Sequence, residues 1–510
     1  MELVLENPFI NSNFAYYNYH CFDMGRFEKV IVNQSGVDKR ESGYYSTPQF
    51  IADYITKELI ALNPSGKKVL DPATGNEELL KSFFLAGKEI DSFDIIEHGD
   101  IKYSNFNQFD FIEYYKEKKN QQFFSNSIDL DYDYYIANPP YNCHEINYIR
   151  DNKKDLKLLF DKVGVNNMYS MFLSAMIDCA KNGALIGVII SDSFLTATMH
   201  SELREQILSQ CSIHQLILCP NDLFWDQKAD VRTCILILQK GTQYQNDVLV
   251  SNRPKNKQNL EEILESKKFS NVSIDSIVLS KKKSANQFII DVDPDVLKLF
   301  SLPRVGEVFK CITGISTGND KKYLSTVKTD GYEVPFYKNP GSRKFKTEVD
   351  AYIINDFMEE SLKVKDFMVR NKQYMLKEGI TCSSMGLPFS ACYLPEKSTF
   401  GVNANIFTPK QDIFWMISYL NSSLVTYFVR GVLIRSNMVT SGYISQIPIL
   451  EFNETEKKQL EKISIDALNE NIPTKDAIDK IDSIIFNNVG LCKSKIEHII
   501  DFANNLNKRV

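Results

Sequence analysis

Short apolar runs alternate with longer amphipathic segments in the first half of the chain, from Gly66 to about Lys240. Apolar runs rich in β-branched and aromatic residues predict strands, and segments whose apolar positions recur every three or four residues predict helices. The predicted strands are Lys68–Leu70, Ser92–Ile96, Tyr134–Ala137, Ala184–Ile190, Ile213–Leu218 and Arg232–Leu238. The predicted helices are Pro48–Leu62, with Thr47 as its N-cap, Glu77–Leu85, Met168–Lys181 and Thr196–Ser209. This alternation is the pattern of a doubly wound α/β sheet.

The pattern changes after Lys240. A polar stretch rich in Lys, Asn and Ser runs to about Lys283 and predicts a connector or an insertion over residues 241–300. Residues 301–450 bring glycines and short β-rich runs, followed by an apolar helical segment at Ile413–Val429. Residues 451–510 indicate two or three amphipathic helices. The expected organisation is an N-terminal extension at 1–43, a catalytic domain at 44–240, the connector, a second domain at 301–450 and a C-terminal helical segment at 451–510.

The length and composition point to a globular protein. A chain of 510 residues is too long for one core and predicts two or three domains, and 43% hydrophobic with 24% charged residues is ordinary for such proteins. No stretch approaches the roughly 18 apolar residues of a membrane span. The segment Met1–Ile10 lacks the regions of a signal peptide, so we expect a cytoplasmic protein without membrane contact. The ten cysteines include no Cys-x-x-Cys pair, and we expect neither a metal site nor disulfides.

The formal net charge of −6 is divided unevenly along the chain. Residues 1–240 carry 23 basic and 33 acidic side chains, a net charge of −10, whereas residues 241–510 carry 36 and 32, a net charge of +4. A surface that binds nucleic-acid phosphates is therefore expected in the second half. An excess of this size over so long a segment also fits ordinary surface chemistry.

A rigid polar elbow, Asn138-Pro139-Pro140-Tyr141, follows directly on the predicted strand Tyr134–Ala137. A planar amine such as adenine N6 is a poor nucleophile because its lone pair is delocalised into the ring, so an enzyme that alkylates it must hold its N–H groups out of conjugation. The side-chain oxygen of Asn138 and the carbonyl of Pro139 would accept these N–H groups, while two prolines with φ fixed at about −65° hold the acceptors in place. Tyr141 would stack on a flipped base. The alternative is a loop that proline merely stiffens.

A second polar turn follows the first predicted strand, in the sequence Asp71-Pro72-Ala73-Thr74-Gly75-Asn76. An acid, a proline and a glycine at a strand-to-helix turn allow backbone N–H groups to cradle a small polar ligand. The usual pattern at S-adenosylmethionine sites is Asp-Pro-x-x-Gly-x-Gly, and here Glu77 stands at the position of the last glycine. The glycines alone therefore do not identify the site.

Two further acids stand near the ends of predicted strands. Asp94, about 20 residues beyond the turn, can accept both hydroxyls of a ribose, and Ile95 beside it can pack on an adenine face. Asp110 and Phe111, after the third strand position, supply an acceptor for the adenine amine and an aromatic wall. Each residue alone is equally well explained as a cap or a core residue. Their order ahead of the elbow at Asn138 favours a binding site.

The order of these motifs resembles that of the gamma-class N6-adenine DNA methyltransferases, and most of all their TaqI-like type II restriction-modification branch. The matching segments are Tyr45-Ser46-Thr47-Pro48, Asp71-Pro72-Ala73-Thr74-Gly75 and Asn138-Pro139-Pro140-Tyr141. The match covers the first 240 residues through specific motifs, and residues 301–450 only loosely. It implies a Rossmann-like S-adenosylmethionine-dependent methyltransferase domain with a C-terminal α+β target-recognition domain.

The resemblance also implies a cofactor, a reaction and site residues. The methyl group of S-adenosyl-L-methionine would pass directly to a flipped-out adenine held by Asn138, Pro139, Pro140 and Tyr141. An aromatic residue would face Tyr141 across the base, with Phe224 the first candidate and Trp225 the second, unless Phe224 is a core residue. The residues assigned to the cofactor are Tyr45, Ser46 and Thr47 over its methionine end, Asp71 near its amino group, and Ala73, Gly75, Asp94, Ile95, Asp110, Phe111 and Asn138.

Members of this family read DNA with the C-terminal domain. The candidates for DNA contacts in this chain are Lys338, Arg343, Lys344, Arg430, Arg435 and Asn437, each of which is also well explained as a solvated surface residue. The expected partner is double-stranded DNA, bound by a monomer, together with a cognate restriction endonuclease in a restriction-modification system.

Two other functions stay open. Methyltransferases of ribosomal RNA or of a protein glutamine carry the same elbow, although they are usually much shorter. A non-catalytic DNA-binding subunit of a defence complex would keep the fold without binding the cofactor, and Glu77 in place of glycine favours it.

Overall fold

The computed structural model describes residues 45–121, 128–141, 146–227, 231–244, 247–279, 286–434 and 438–506. Its first half is one large sheet with helices on both faces, and its second half combines small sheets with a helical cluster. The predicted α/β domain followed by an α+β domain is confirmed. The predicted N-terminal extension, residues 1–43, lies outside the described residues. No helix within the described ranges is long and apolar enough to span a membrane.

The described part of the first half contains nine strands and the helices that cover them. The strands are β1 (Lys68–Asp71), β2 (Glu89–Asp94), β3 (Asn105–Gln108), β4 (Tyr134–Ala137), β5 (Leu185–Ser191), β6 (Cys211–Leu218), β7 (Thr233–Lys240), β8 (Val248–Ser251) and β9 (Ser270–Val272). The helices are α1 (Gln49–Leu62), α2 (Lys81–Leu85), α3 (Phe111–Gln121), α4 (Asn147–Asp151), α5 (Lys153–Leu159), α6 (Met168–Cys179), α7 (Ser201–Gln210), α8 (Lys257–Ser266) and α9 (Ile274–Ile277). All six predicted strands are present within a few residues of their predicted bounds.

The sheet has the strand order β3-β2-β1-β4-β5-β7-β6-β8-β9, and its first five strands are parallel. Alternate residues of β4 enter different cores, Tyr134 and Ile136 on the face covered by α1 and Tyr135 and Ala137 on the opposite face. Because both faces are buried, the strands are continuous apolar runs. The strand order reverses between β1 and β4, which opens a crevice at their carboxyl ends.

Two predictions at helix starts are wrong. The helix predicted at Glu77–Leu85 begins only at Lys81, because Glu77 has a φ of 60°, and left-handed backbone does not fit an α-helix. Thr47 does not cap α1: Pro48 occupies the cap position, and the structure gives α1 no side-chain cap. The hydroxyl of Thr47 contacts Asn138 instead.

The predicted connector over residues 241–300 is also corrected. Strands β8 and β9 extend the large sheet, with β8 parallel to β6, and Leu260 and Leu264 of α8 enter the core beside α1. The part of the segment at the edge of the sheet is polar in sequence because side chains there, such as those of Ser270 and Asn271 in β9, are exposed.

The second half carries ten further strands in three small sheets. The strands are β10 (Lys310–Ile312), β11 (Ile315–Ser316), β12 (Leu324–Ser325), β13 (Val334–Tyr337), β14 (Ala351–Ile353), β15 (Met368–Val369), β16 (Gly379–Cys382), β17 (Ala391–Leu394), β18 (Thr399–Phe400) and β19 (Asn405–Phe407). The sheets have the orders β10-β19-β16-β17, β12-β14-β13-β18 and β11-β15.

The helices of the second half pack mainly into one core. They are α10 (Pro294–Lys298), α11 (Val305–Val308), α12 (Asp320–Tyr323), α13 (Phe357–Lys363), α14 (Ile413–Leu420), α15 (Ser423–Tyr427), α16 (Ser441–Ile444), α17 (Glu454–Leu468), α18 (Thr474–Asn488) and α19 (Lys493–Asn504). The predicted helical segment Ile413–Val429 is interrupted at Asn421, whose side chain bonds both backbone groups of Ala391. Three helices, α17 to α19, form the predicted C-terminal helical segment.

Candidate active site

A cavity of about 430 Å³ opens at the carboxyl ends of the parallel strands. Seven of the predicted site residues line it, namely Ala73, Asp94, Ile95, Asp110, Phe111, Asn138 and Pro140. Its walls also contain His98, Phe109, Tyr148, Met168 and Phe172, which sequence reasoning missed. Phe172 and Met168 lie on one face of α6. Nearly all side chains of this helix are buried, so its sequence looks like that of an ordinary core helix. The predicted residues and the missed ones are far apart in sequence and come together only in the fold.

Asp71 ends β1 next to this cavity and is fully buried. Its Oδ1 atom accepts the backbone N–H of Ala73 at 3.1 Å, whereas Oδ2 has no hydrogen-bond partner among the residues described. Burial raises the pKa of Asp71 well above its ordinary value. A buried carboxylate oxygen without a partner is costly, and it fits a cationic group of a ligand.

Asp94 ends β2 and is held by two backbone N–H groups. Its Oδ2 atom accepts the N–H of Gly75 at 3.0 Å, and its Oδ1 atom accepts the N–H of Ile96 at 3.2 Å. Gly75 has a φ of 55°, which glycine adopts without strain. Ile95 leaves 59% of its surface exposed on the cavity wall. The carboxylate is therefore oriented in advance beside an open apolar surface.

Asp110 lies at the far side of the cavity, before α3. Its Oδ1 atom accepts the N–H of Ile112 at 2.8 Å, and its Oδ2 atom accepts the hydroxyl of Tyr148 at 2.7 Å. Burial raises the pKa of Asp110 above its ordinary value. The ring of Phe111 packs against Phe172, with ring centroids 5.9 Å apart. This end of the cavity thus offers the oriented carboxylate of Asp110 as a hydrogen-bond acceptor, beside the aromatic rings of Phe111 and Phe172.

Glu77 does not line this cavity. Its carboxylate is buried and accepts the backbone N–H of Lys102 at 2.6 Å, the N–H of Tyr103 at 3.1 Å and the hydroxyl of Ser104 at 2.7 Å. It therefore anchors the loop between β2 and β3 from a backbone position that usually needs glycine.

Asn138, directly after β4, has both ends of its amide engaged. Its Nδ2 donates to the carbonyl of Tyr45 at 2.7 Å and to Oγ1 of Thr47 at 3.0 Å. Its Oδ1 lies 2.5 Å from the hydroxyl of Tyr141. Because a backbone carbonyl can only accept, the contact with Tyr45 fixes which end of the amide is nitrogen.

Three aromatic rings cluster beside this amide. Tyr45 is nearly parallel to Tyr141, with ring centroids 6.0 Å apart and planes at 16°. Phe224 lies 6.0 Å from Tyr45 and 6.4 Å from Tyr141 between centroids, and it is fully buried. Trp225 is 62% exposed. The three ring centroids thus form a nearly equilateral triangle, in which Tyr45 packs against both Tyr141 and Phe224.

A contact distant in sequence holds the segment that carries Tyr45. The Oε1 atom of Gln227 accepts the N–H of Ser46 at 2.9 Å, and its Nε2 atom donates to the carbonyl of Ser46 at 2.8 Å. Sequence reasoning missed this residue, since no local pattern around Gln227 signals a partner 181 positions away.

Of the residues predicted to contact DNA, two lie on the surface of the second half. Lys338 is exposed and pairs with Asp320. Arg343 is 51% exposed in its side chain and pairs with Glu348 at 3.2 Å. Both are accessible to a polyanion.

Two others are directed inward, so their predicted DNA contact is withdrawn. Lys344 donates from Nζ to the carbonyl of Asn421 at 2.8 Å, and burial lowers its pKa to about 8. Arg430 is 6% exposed and donates to the carbonyl of Gly386 at 2.9 Å. Their basic side chains satisfy buried carbonyls. The last two candidates, Arg435 and Asn437, lie outside the described residues.

Two curated proteins are similar to part of this chain. Type II methyltransferase M.BanIII of Aneurinibacillus aneurinilyticus is 30% identical over 216 residues, which is 37% of either chain. Type II methyltransferase M.BsuBI of Bacillus subtilis is 33% identical over 120 residues, which is 23% of either chain. The chain thus spans little more than a third of the length of M.BanIII.

Among solved structures, the DrdV–DNA complex has a TM-score of 0.54 at 11% identity, over 84% of this chain and 57% of that one. The Type ISP restriction-modification enzyme LlaBIII bound to DNA has a TM-score of 0.53 at 11% identity, over 83% of this chain and 39% of that one. At such identity the likeness concerns the fold. The family model "N-6 DNA Methylase" matches residues 23–296, which is more than half of the chain and includes the cavity and the elbow at Asn138. The chain belongs to the N-6 DNA Methylase family.

Proposed function

We propose that this protein is a site-specific DNA adenine-N6 methyltransferase of the gamma class and its TaqI-like branch, with S-adenosyl-L-methionine as methyl donor. The observation that carries the proposal is the Asn138 amide, oriented at the mouth of a cavity with carboxylates at separate points of its wall. The proposed setting is a bacterial restriction-modification or epigenetic system. The partners are double-stranded DNA, bound by a single copy of the chain, and a cognate restriction endonuclease.

The cavity suits the parts of the cofactor. Asp94 would accept the ribose hydroxyls, and Asp110 the adenine amine, between Ile95 and Phe111. The free Oδ2 of Asp71 would face the cationic amino group. When bound, the cofactor supplies a methyl group activated by its sulfonium. The residues of this chain bind it, orient it and exclude water from it.

Asn138 and Pro139 would hold the target. The side-chain oxygen of Asn138 and the backbone oxygen of Pro139 would accept the two N–H groups of adenine N6 and keep its lone pair out of the ring. Tyr141 would stack on the flipped base, with Phe224 opposite once the ring of Tyr45 has turned aside while its backbone carbonyl stays on Asn138. No covalent enzyme intermediate is needed, so catalysis rests on position and electrostatics, and the released proton passes to solvent.

The elevated pKa values predict a pH dependence of cofactor binding. Burial raises the pKa of Asp71 and of Asp110 above the ordinary value of 3.8. The ionised forms are those that pair with the amino group and accept the adenine N–H, and they are lost as the pH falls through the raised pKa values. We therefore expect the affinity for S-adenosylmethionine to weaken as the pH is lowered from neutral toward the ordinary carboxyl pKa of 3.8. Calorimetry at a series of pH values checks this. Asp71→Asn should bind S-adenosylmethionine more weakly and with a smaller dependence on pH, because asparagine does not ionise. Constant wild-type affinity over this range would contradict the assignment.

Glu77 gives a second prediction, because the non-catalytic alternative relies on it. Replacing Glu77 by glycine removes several charge-assisted hydrogen bonds, worth about 1.5–3 kcal/mol each, and relieves roughly 1–2 kcal/mol of left-handed strain. We expect Glu77→Gly to lower the melting temperature by about 5 °C, with Glu77→Gln losing less. Cofactor affinity should stay unchanged, and a gain in affinity would indicate that Glu77 obstructs the site.

A transfer experiment with three substrates tests the proposed function. The purified protein is incubated with methyl-labelled S-adenosylmethionine and either DNA from a methylation-free host, ribosomal RNA or a release factor. We expect label in DNA alone, recovered after digestion as N6-methyladenine. Label in ribosomal RNA or in the release factor would show that RNA or protein, and not DNA, is the substrate. Absence of both transfer and cofactor binding would favour the non-catalytic subunit.

A further inference from the structure

The segment before α1 is clasped by a residue from the other side of the crevice. Gln227 belongs to a short helical turn, Trp225–Gln227, that directly follows Phe224. It accepts from the N–H of Ser46 and donates to the carbonyl of the same residue, at 2.9 and 2.8 Å. Two hydrogen bonds from one amide to one residue fix both the position and the rotation of that stretch of backbone.

The residues on either side of Ser46 are those that contact the elbow. Tyr45 offers its carbonyl, and Thr47 its hydroxyl, to the side-chain N–H group of Asn138. Thr47 is 5% exposed, so water does not readily replace it there. Gln227 therefore acts on Asn138 only indirectly, by holding Ser46, whose two neighbours bond Asn138. It does not itself touch the reacting atoms.

This relay determines which end of the Asn138 amide points at the target. With its nitrogen held by the carbonyl of Tyr45, its oxygen faces the hydroxyl of Tyr141, the residue proposed to stack on the target base. The reversed amide would place two acceptors against each other and leave the Tyr45 carbonyl without its donor, which is unfavourable. Without the clasp this penalty disappears, because the segment can withdraw.

We propose that Gln227 is a positioning residue for methyl transfer: by clasping Ser46 it holds the segment Tyr45–Thr47 against Asn138 and keeps the amide oxygen of Asn138 turned toward the target base. The inference rests on the proposed function. It assigns to Gln227 a contribution to the rate of the chemical step, separate from the binding of cofactor or DNA.

The test uses two replacements of Gln227 in the full chain. Gln227→Met keeps the length of the side chain and removes both hydrogen bonds, and Gln227→Glu keeps the acceptor and loses the donor. Gln243→Met is the matched control, because Gln243 is exposed and bonds Asn182 at the opposite end of the sheet. Each protein is assayed for its single-turnover rate of methyl transfer and for its affinities for cofactor and DNA.

We expect Gln227→Met to lower the single-turnover rate by about 10- to 100-fold, the loss that a small misplacement of a reacting group causes. Gln227→Glu should fall between Gln227→Met and the wild type, and Gln243→Met should match the wild type. The dissociation constant for DNA should stay within about twofold, and that for cofactor should rise far less than the rate falls, although Tyr45, Ser46 and Thr47 are also assigned to the methionine end of the cofactor. A merely structural role would move rate, affinities and melting temperature together.

A binding measurement without turnover gives an independent readout. Duplexes with adenine or with purine, which lacks the 6-amino group, at the target position are titrated in the presence of S-adenosylhomocysteine. The oriented oxygen of Asn138 and the carbonyl of Pro139 favour adenine in the wild type, and Gln227→Met should lower the ratio of the two affinities to what the carbonyl of Pro139 alone provides.

The outcomes separate the two proposals. If the wild type methylates no adenine in DNA, the proposed function fails, and this inference fails with it. If the wild type is active and Gln227→Met retains its single-turnover rate and its preference for adenine, only the positioning role is overturned. A parallel loss of rate, cofactor affinity and melting temperature would overturn it as well.

Discussion

Replacing Asn138 by alanine is expected to slow methyl transfer by about 100- to 1,000-fold, as is typical when one preorganised hydrogen-bonding group is removed from a site where charge develops. In the proposed reaction its side-chain oxygen accepts an N–H of the target amine while that nitrogen gains positive charge. Its position is set by the end of β4 and by the contacts of its N–H group with Tyr45 and Thr47. The measurement is the single-turnover rate on DNA with the recognised site, with cofactor bound beforehand.

Asn182→Ala is the matched control, because Asn182 is an exposed residue in the turn before β5, at the opposite end of the parallel strands. We expect it to keep the wild-type rate. Cofactor affinity of Asn138→Ala should change little, since Asp71, Asp94 and Asp110 stay in place. A rate for Asn138→Ala within about threefold of the wild type would remove Asn138 from the chemical step.

Replacing Asp94 by alanine is expected to raise the dissociation constant for S-adenosylmethionine by about 100-fold. The carboxylate is held by the N–H groups of Gly75 and Ile96, so it reaches the two ribose hydroxyls without reorganising. A hydrogen bond to a charged acceptor contributes about 1.5–3 kcal/mol, and two of them amount to roughly two factors of ten or more. Isothermal titration calorimetry measures the change directly.

Two further variants make this result specific. Asp94→Asn keeps the shape and loses the charge, and should weaken binding by about tenfold. Asp100→Ala replaces an exposed acid of the following loop and should bind like the wild type. If Asp94→Ala binds S-adenosylmethionine as tightly as Asp100→Ala does, the ribose of the cofactor does not lie at Asp94.

The sequence predicted those parts of the molecule that depend on local pattern. The runs that form β1 and β4 are apolar because both faces of the sheet are buried, and the polar residues at their ends, Asp71 and Asn138, lie at the same edge of the sheet because the strands are parallel neighbours. Strand β9, in contrast, lies at the sheet edge with little burial, so its composition resembles a connector.

Side-chain partners far apart in sequence could not be predicted. Gln227 reaches Ser46 across 181 positions, and Thr47 bonds Asn138 across 91. Basic residues posed a different difficulty. Lys344 and Arg430 donate to backbone carbonyls inside the protein, and nothing in the sequence distinguishes them from basic residues on the surface. Tyr148 illustrates a third case, since its contact with Asp110 joins two segments that only the fold brings together.

The most direct test of the central claim is a methylation map of DNA from a methylation-free bacterial host that expresses this protein. Long-read sequencing that detects modified bases is applied to the wild type and to Asn138→Ala. We predict N6-methyladenine at one recurring sequence with the wild type and none with Asn138→Ala. Unmodified DNA from a host in which the wild-type protein is folded and binds S-adenosylmethionine would contradict the claim that adenine in DNA is the substrate.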